Sequence, residues 1–213
     1  MSSHDESYKL FFSHPQMVED LLRGFIHEPW VTELDFTTLE AVKSSFVSST
    51  LKRRDEDVMW RLRWKDRWLY LYLLIAFQSS PQYFMAIRVA VYVGLFYQDL
   101  IKAQKLTSAD QLPPVLPIVI YNGDTRWHAP TNSRELIEPV TGLEKYRLQI
   151  EYLLLDEGDY SDEELATLHN FVAALFRLEN SRTEQEIQRV LELLIEWLSA
   201  PEQDSLKQAF VNW

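Results

Sequence analysis

Residues 57–78 constrain this chain more than any other stretch, because their pattern suits an antiparallel pair of strands and little else. From Asp57 to Trp64, the side chains of Val58, Trp60, Leu62 and Trp64 alternate with Met59, Arg61 and Arg63. A period of two sends one set to a buried face and the other outward. Lys65-Asp66 supplies a tight turn, although without the glycine of the commonest hairpin loops. Arg67 to Gln78 then returns as a long strand rich in aromatic and branched residues. Its apolar core, Trp68 to Phe77, has about half of the ~20 residues that a membrane-spanning helix needs. A buried strand is therefore expected and no membrane span.

The flanking segments supply what such a hairpin must pack against. Pro15 suits a first helical turn, and Met17, Leu21, Leu22 and Phe25 recur at helical spacing until Pro29 stops the pattern. After the breaker cluster Gln78-Ser79-Ser80-Pro81, the stretch Tyr83 to Gln104 carries Met85, Val89, Tyr92, Val93 and Phe96 at helical spacing. Val115 to Tyr121 is a short continuous apolar run closed by Asn122-Gly123-Asp124, which predicts a central strand buried on both faces. Gln149 to Leu155 predicts another strand. Ser161-Asp162-Glu163-Glu164 has the form of a capping box, with an apolar stripe continuing to Leu178, and Thr183 to Leu198 predicts a further amphipathic helix. The expected fold is α/β, a mixed β-sheet flanked by helices with a C-terminal helical extension.

A length of 213 residues with 46% hydrophobic content can bury a full core. The expected division is a main domain over 1–158 and a helical segment over 159–213 packing on it. With no cysteine, the chain has no disulfide framework, thiol nucleophile or thiolate zinc site, and it suits a reducing cytosol. The first residues, MSSHDESYKLFF, show no basic-then-apolar leader, so a cytoplasmic location is expected. The net charge of −11 argues against nucleic-acid binding by the whole surface. Charge is nevertheless polarised along the chain. Lys52 to Arg67 carries a local excess of base, whereas Asp156 to Glu164 holds Asp156, Glu157, Asp159, Asp162, Glu163 and Glu164 with no base.

Asp57 opens the first hairpin strand and Gln78 closes the second, so the two ends are expected to lie side by side at one edge of the sheet. Taken alone, Asp57 reads most simply as a carboxylate in a solvated turn. The scattered residues His4, His14, His27, His128 and His169 show no ligand spacing, which disfavours a zinc hydrolase. Five glycines, none of them in a phosphate-binding loop, disfavour nucleotide hydrolysis.

Several short strings together change this reading. His4-Asp5, Tyr8-Lys9, Phe11-Phe12-Ser13, Asp57-Val58-Met59-Trp60, Phe77-Gln78-Ser79-Ser80, Tyr97-Gln98-Asp99-Leu100 and Leu116-Pro117-Ile118-Val119-Ile120-Tyr121-Asn122-Gly123 occur in this order. In combination they resemble the recombination-promoting nucleases, or YhgA-like putative transposases, a branch of the PD-(D/E)XK superfamily, over about the first 155 residues. The resemblance implies a restriction-endonuclease-like fold and a Mg²⁺-dependent (or Mn²⁺-dependent) DNA endonuclease. It makes Asp57 the metal-binding aspartate and Gln78 the residue that orients water or phosphate, with the backbone carbonyl of Phe77 as a further ligand. Arg53, Arg54, Arg61 and Arg63 would contact DNA, although exposed strand arginines serve equally as solubilising charge.

The chain departs from the family pattern at Ala76, where the family has glutamate two residues before Gln78. A methyl group cannot ligate a cation. Weak Mg²⁺ binding and little or no cleavage are therefore expected, whether Ala76 arose by design or by drift. Asp55 is a weak candidate for compensation, and Glu19 or Glu28 for an extra acidic ligand. A second reading is a catalytically dead homologue that binds DNA or a protein. A third is an acidic homodimer formed through the C-terminal helices or through Trp68, Tyr70 and Tyr72 on an exposed hairpin face.

Overall fold

The computed structural model describes residues 3–42, 57–76, 81–123 and 125–213. Two helices open the chain, α1 (Ser3–Phe12) and α2 (Pro15–Phe25), the second beginning at the proline expected to start it. Strands β1 (Leu34–Ala41), β2 (Asp57–Trp64) and β3 (Arg67–Ala76) follow. Next come helix α3 (Met85–Gln104), β4 (Val115–Tyr121) and β5 (Leu153–Asp156). Helices α4 (Asp162–Leu168), α5 (Phe171–Asn180), α6 (Glu184–Trp197) and α7 (Asp204–Asn212) complete the chain.

The five strands form one mixed sheet in the order β1-β2-β3-β4-β5. The first three run antiparallel, and β3, β4 and β5 run parallel. A parallel neighbour cannot be reached by a tight turn, and α3 provides the crossover from β3 to β4. Lys65 adopts the left-handed conformation at φ 54° in the hairpin turn, the role a glycine fills more easily.

Both faces of the sheet are covered, which explains why β4 reads as a continuous apolar run. On one face Trp60, Leu62, Leu71, Leu73, Ile118 and Ile120 pack with Tyr8, Phe11 and Phe12 of α1, Leu21 and Leu22 of α2, and Leu175 and Phe176 of α5. Val190 and Leu194 of α6 and Leu206 of α7 belong to the same cluster. The Trp60 indole donates to the Phe12 carbonyl at 2.8 Å, fastening α1 to the hairpin. On the other face Tyr70, Tyr72, Leu74, Val119 and Tyr121 pack under Met85, Val89, Tyr92, Phe96 and Leu100, of which the last five belong to α3.

Three expectations are corrected. Tyr70 and Tyr72 are not on an exposed hairpin face: they are 2% and 3% exposed, against Phe96 and Tyr92 respectively, because α3 covers that side. The strand expected over 149–155 begins only at Leu153, because the preceding residues pair with the loop instead: Ser133 N donates to Ile150 O and Tyr152 N to Thr131 O. The apolar stripe running to Leu178 is two helices, broken at left-handed His169, after which Asn170 caps α5 by accepting from Ala173 N at 2.7 Å. Asp57 is opposite Leu74, and the expected neighbourhood of Asp57 and Gln78 involves a residue outside the described ones. Among the described residues no helix is long and apolar enough to cross a membrane.

Candidate functional site

Four strand ends meet at one end of the sheet, where β2 begins and β3, β4 and β5 finish. Asp57 is the first residue of β2, and Ala76, Tyr121 and Asp156 are the last of β3, β4 and β5. Ala76 pairs with Tyr121 and Tyr121 with Asp156, forming one row across three strands. Asp57 pairs with Leu74, two residues short of Ala76, or about 7 Å along a strand. By register, positions 74, 121 and 156 share the parity of the face that α3 covers. Carboxyl ends of adjacent parallel strands are where open α/β sheets place their ligands.

The strand register thus brings positions 57 and 76 to a common sheet end. Phe77, Gln78, Asp55, Arg53 and Arg54 lie outside the described residues. Arg61 and Arg63 lie toward the hairpin turn, with their guanidinium groups stacked on Trp68 at 4.4 and 4.1 Å. Arg61 also bonds Glu40 at 2.6 Å, and Arg63 reaches the Asp66 carbonyl at 3.3 Å. Glu19 pairs with Arg23 on its own helix, and Glu28 is exposed.

Asp156 organises the loop that follows β4. Its carboxylate, 3% exposed, accepts from Trp127 N at 2.9 Å and Gly158 N at 3.1 Å, and Arg126 approaches it at 3.5 Å. Trp127 rests edge-on against Tyr121, whose hydroxyl donates to Thr125 O at 2.7 Å.

Glu157 is buried next to it, 1% exposed. Its Oε1 accepts the Tyr8 hydroxyl hydrogen at 2.8 Å, and the Asn122 side chain hydrogen-bonds to Tyr8 in turn. Asn180 donates to the Glu157 carbonyl at 3.1 Å. Burial pushes the Glu157 carboxyl well above the usual range; the Tyr8 bond opposes this, and the charges of Glu179 and Asp156 add to it. The Tyr8 phenol is likewise raised, by burial first and then by Glu157 and Glu179. A cavity of about 360 Å³ adjoins these groups, lined by residues that include Asn122, Gly123, Arg126, Glu157, Glu179 and Arg182.

In the sequence Tyr8 and Asn122-Gly123 stand in separate strings and Asp156-Glu157 within an acidic run, with no local sign of their convergence. Its only trace is that two strings far apart in sequence flank elements ending at one sheet edge.

Position 76 carries a methyl group, which has no oxygen to offer a hard cation. Among the described residues, no three histidine, aspartate or glutamate side chains converge as a metal-binding group.

Comparison with known proteins agrees with the sequence resemblance. The family described as "Putative transposase, YhgA-like" matches residues 2–208. The chain is 30% identical over 124 residues to the inactive recombination-promoting nuclease-like protein RpnE of Escherichia coli K12, an alignment covering 58% of this chain and 40% of RpnE. It is 31% identical over 120 residues to the recombination-promoting nuclease RpnA of the same strain, covering 56% of this chain and 40% of RpnA. With the recombination-promoting nuclease RpnD of E. coli O157:H7 it shares 27% identity over 195 residues, 90% of this chain and 72% of the relative. The chain thus spans about 40% of the length of RpnE and RpnA. No solved structure matches.

Proposed function

From the premise that this chain belongs to the YhgA-like family of putative transposases, we propose that it is a DNA-directed protein of the recombination-nuclease type whose cutting centre is incomplete. The fold is of the restriction-endonuclease kind, and the chain works in the cytoplasm, where DNA is reached without crossing a membrane. The centre lies around Asp57, position 76 and Gln78, with the Phe77 carbonyl at its edge.

One observation carries this reading: strand register brings Asp57 and residue 76 to the same end of the sheet, and residue 76 is alanine. Relatives named as nucleases and one named as inactive are both similar to the chain. Asp57 alone is a poor holder of Mg²⁺, which takes carboxylate oxygens and keeps much of its water. With glutamate restored at 76, the ion would have a second oxygen ligand, and an ion held there supplies Lewis-acid stabilisation of the phosphate.

The protein therefore binds DNA without cutting it. Filter binding across a salt series tests the first half: affinity should fall steeply with salt, as phosphate contacts release counterions. Binding that ignores salt, or no binding at low salt, contradicts it. Plasmid nicking by the restored variant tests the second half.

A further inference from the structure

We propose that the outward face of α3 is the seam of a homodimer, where a second copy of this chain packs helix against helix. This face is separate from the cutting centre around Asp57, and the dimer does not depend on that centre.

Helix α3 carries two apolar stripes where its place on the sheet needs one. Met85, Val89, Tyr92, Phe96 and Leu100 are buried against the strands. A second set, Phe84, Ile87, Val91, Gly94, Gln98 and Ile101, recurs at alternating steps of three and four residues, the spacing of a seam between paired helices. Phe84, immediately before the helix, is 59% exposed, Val91 is 52% and Ile101 is 41% exposed. Gly94 and Gln98 are exposed as well, and Ile87 is half-buried. A helix that is apolar on both sides is one that is covered on both sides.

Gly94 points the same way. Glycine inside a helix is less favourable than alanine, yet a Cβ at Gly94 would meet nothing within 4 Å. Packing within the folded chain therefore gives no reason for glycine at this position, whereas close approach by a neighbouring backbone does.

Charge selects the occupant. The chain has a net charge of −11 and 25% charged residues, but from Tyr83 to Gln98 the only charged residue is Arg88. Its guanidinium lies along its own helix, donating to the Tyr92 hydroxyl at 2.8 Å and to Gln82 at 3.1 Å. Nucleic acid would call for several cations on this face, and an anionic lipid surface for a row of lysine and arginine beside the apolar stripe. A second copy brings the same surface without acidic groups, so two chains of charge −11 meet there with little local repulsion. The size also suits a dimer. Residues 84–101 span roughly 27 Å along the helix, and a strip that long and about 10–12 Å wide gives several hundred Å² on each copy. That approaches the ~800 Å² per partner of a standard interface, so the dimer is reversible.

Sedimentation equilibrium of this chain tests the proposal. The wild type should pass from monomer to dimer mass over roughly 1–100 µM, and more readily at high salt, which screens the repulsion between copies. Val91→Glu puts a charge into the seam from both copies and should raise the dissociation constant at least about 10-fold. Gly94→Ala should weaken the dimer while raising the thermal midpoint of the monomer. Ile195→Glu, at a 71% exposed position of α6, should leave dimerisation unchanged. A wild type still monomeric at about 100 µM, or a dimer undiminished by Val91→Glu, overturns the proposal. Loss of the dimer in Ile195→Glu with retention in Val91→Glu assigns the contact to the C-terminal helices and also overturns it. So does a monomeric wild type that sediments with phosphatidylcholine–phosphatidylserine vesicles while Val91→Glu does not, since lipid is then the occupant. If Val91→Glu does not fold by circular dichroism, Val91→Ser decides in its place.

Discussion

Tyr8 and Glu157, 149 residues apart, meet through a 2.8 Å hydrogen bond sealed from solvent. The bond ties the first helix to the residue just beyond the last strand. Replacing Tyr8 with Phe leaves a buried acid without its donor, at a cost of about 1–3 kcal/mol. Urea unfolding of Tyr8→Phe should show that loss, and a midpoint equal to the wild type's would contradict the assignment.

Glu157 also sets a pH dependence. Burial raises its folded-state pKa above that of the unfolded chain, so the folded protein holds the proton longer. Its contribution to stability is then fully present below the ordinary glutamate range and declines as pH rises through the raised folded value. Glu157→Gln cannot titrate and should flatten that decline. Denaturant midpoints over a pH series read it directly; an identical slope in both proteins would show that another group is responsible.

Asp20 and Gly24 govern the contact between α2 and α5. Buried Asp20 accepts from Phe171 N at 2.7 Å and Gln16 at 2.8 Å, and Asn170 donates to its carbonyl at 3.2 Å. A Cβ on Gly24 would stand 2.4 Å from Asn170 Nδ2. Because Asn170 caps α5, it cannot yield freely. Gly24→Ala gains up to about 1 kcal/mol of helix propensity but loses about 1–3 kcal/mol by overpacking. A net loss of thermal stability is expected, and a rise in Tm would contradict the close approach.

Much of the fold was legible because its signals were local. The alternation at Val58, Trp60, Leu62 and Trp64 marked β2, and the unbroken run Val115–Tyr121 marked β4. By contrast β1, with Asp35, Thr37, Thr38 and Glu40, lacks apolar alternation because its register slips between Asp35 and Glu40. The reading of the hairpin end at Asp57 and Ala76 rests on the family resemblance alone. Burial of Asp156 and Glu157 was not: neighbouring Asp159, Asp162 and Glu163 are exposed, and only the end of β5 inside the sheet separates the two groups. Similarly, nothing local to Tyr70 or Tyr72 announces that α3 will cover them.

Arg61 and Arg63 can be distinguished on DNA. Both guanidinium groups stack on Trp68, but Arg61 is tied to Glu40 and the Tyr70 hydroxyl, whereas Arg63 among the described residues reaches a turn carbonyl and no carboxylate. Arg63→Ala should therefore lower the salt slope of DNA binding by about one, and Arg61→Ala should leave it unchanged. Equal effects from the two would contradict this division.

Restoring the missing carboxylate tests the central claim most directly. Supercoiled plasmid with Mg²⁺ or Mn²⁺ should remain intact with the wild type, become nicked with Ala76→Glu, and remain intact with the double variant Asp57→Asn, Ala76→Glu. A folded Ala76→Glu protein that makes no breaks, or a wild type that nicks as fast as the variant, would contradict the reading of this sheet end as an incomplete nuclease centre.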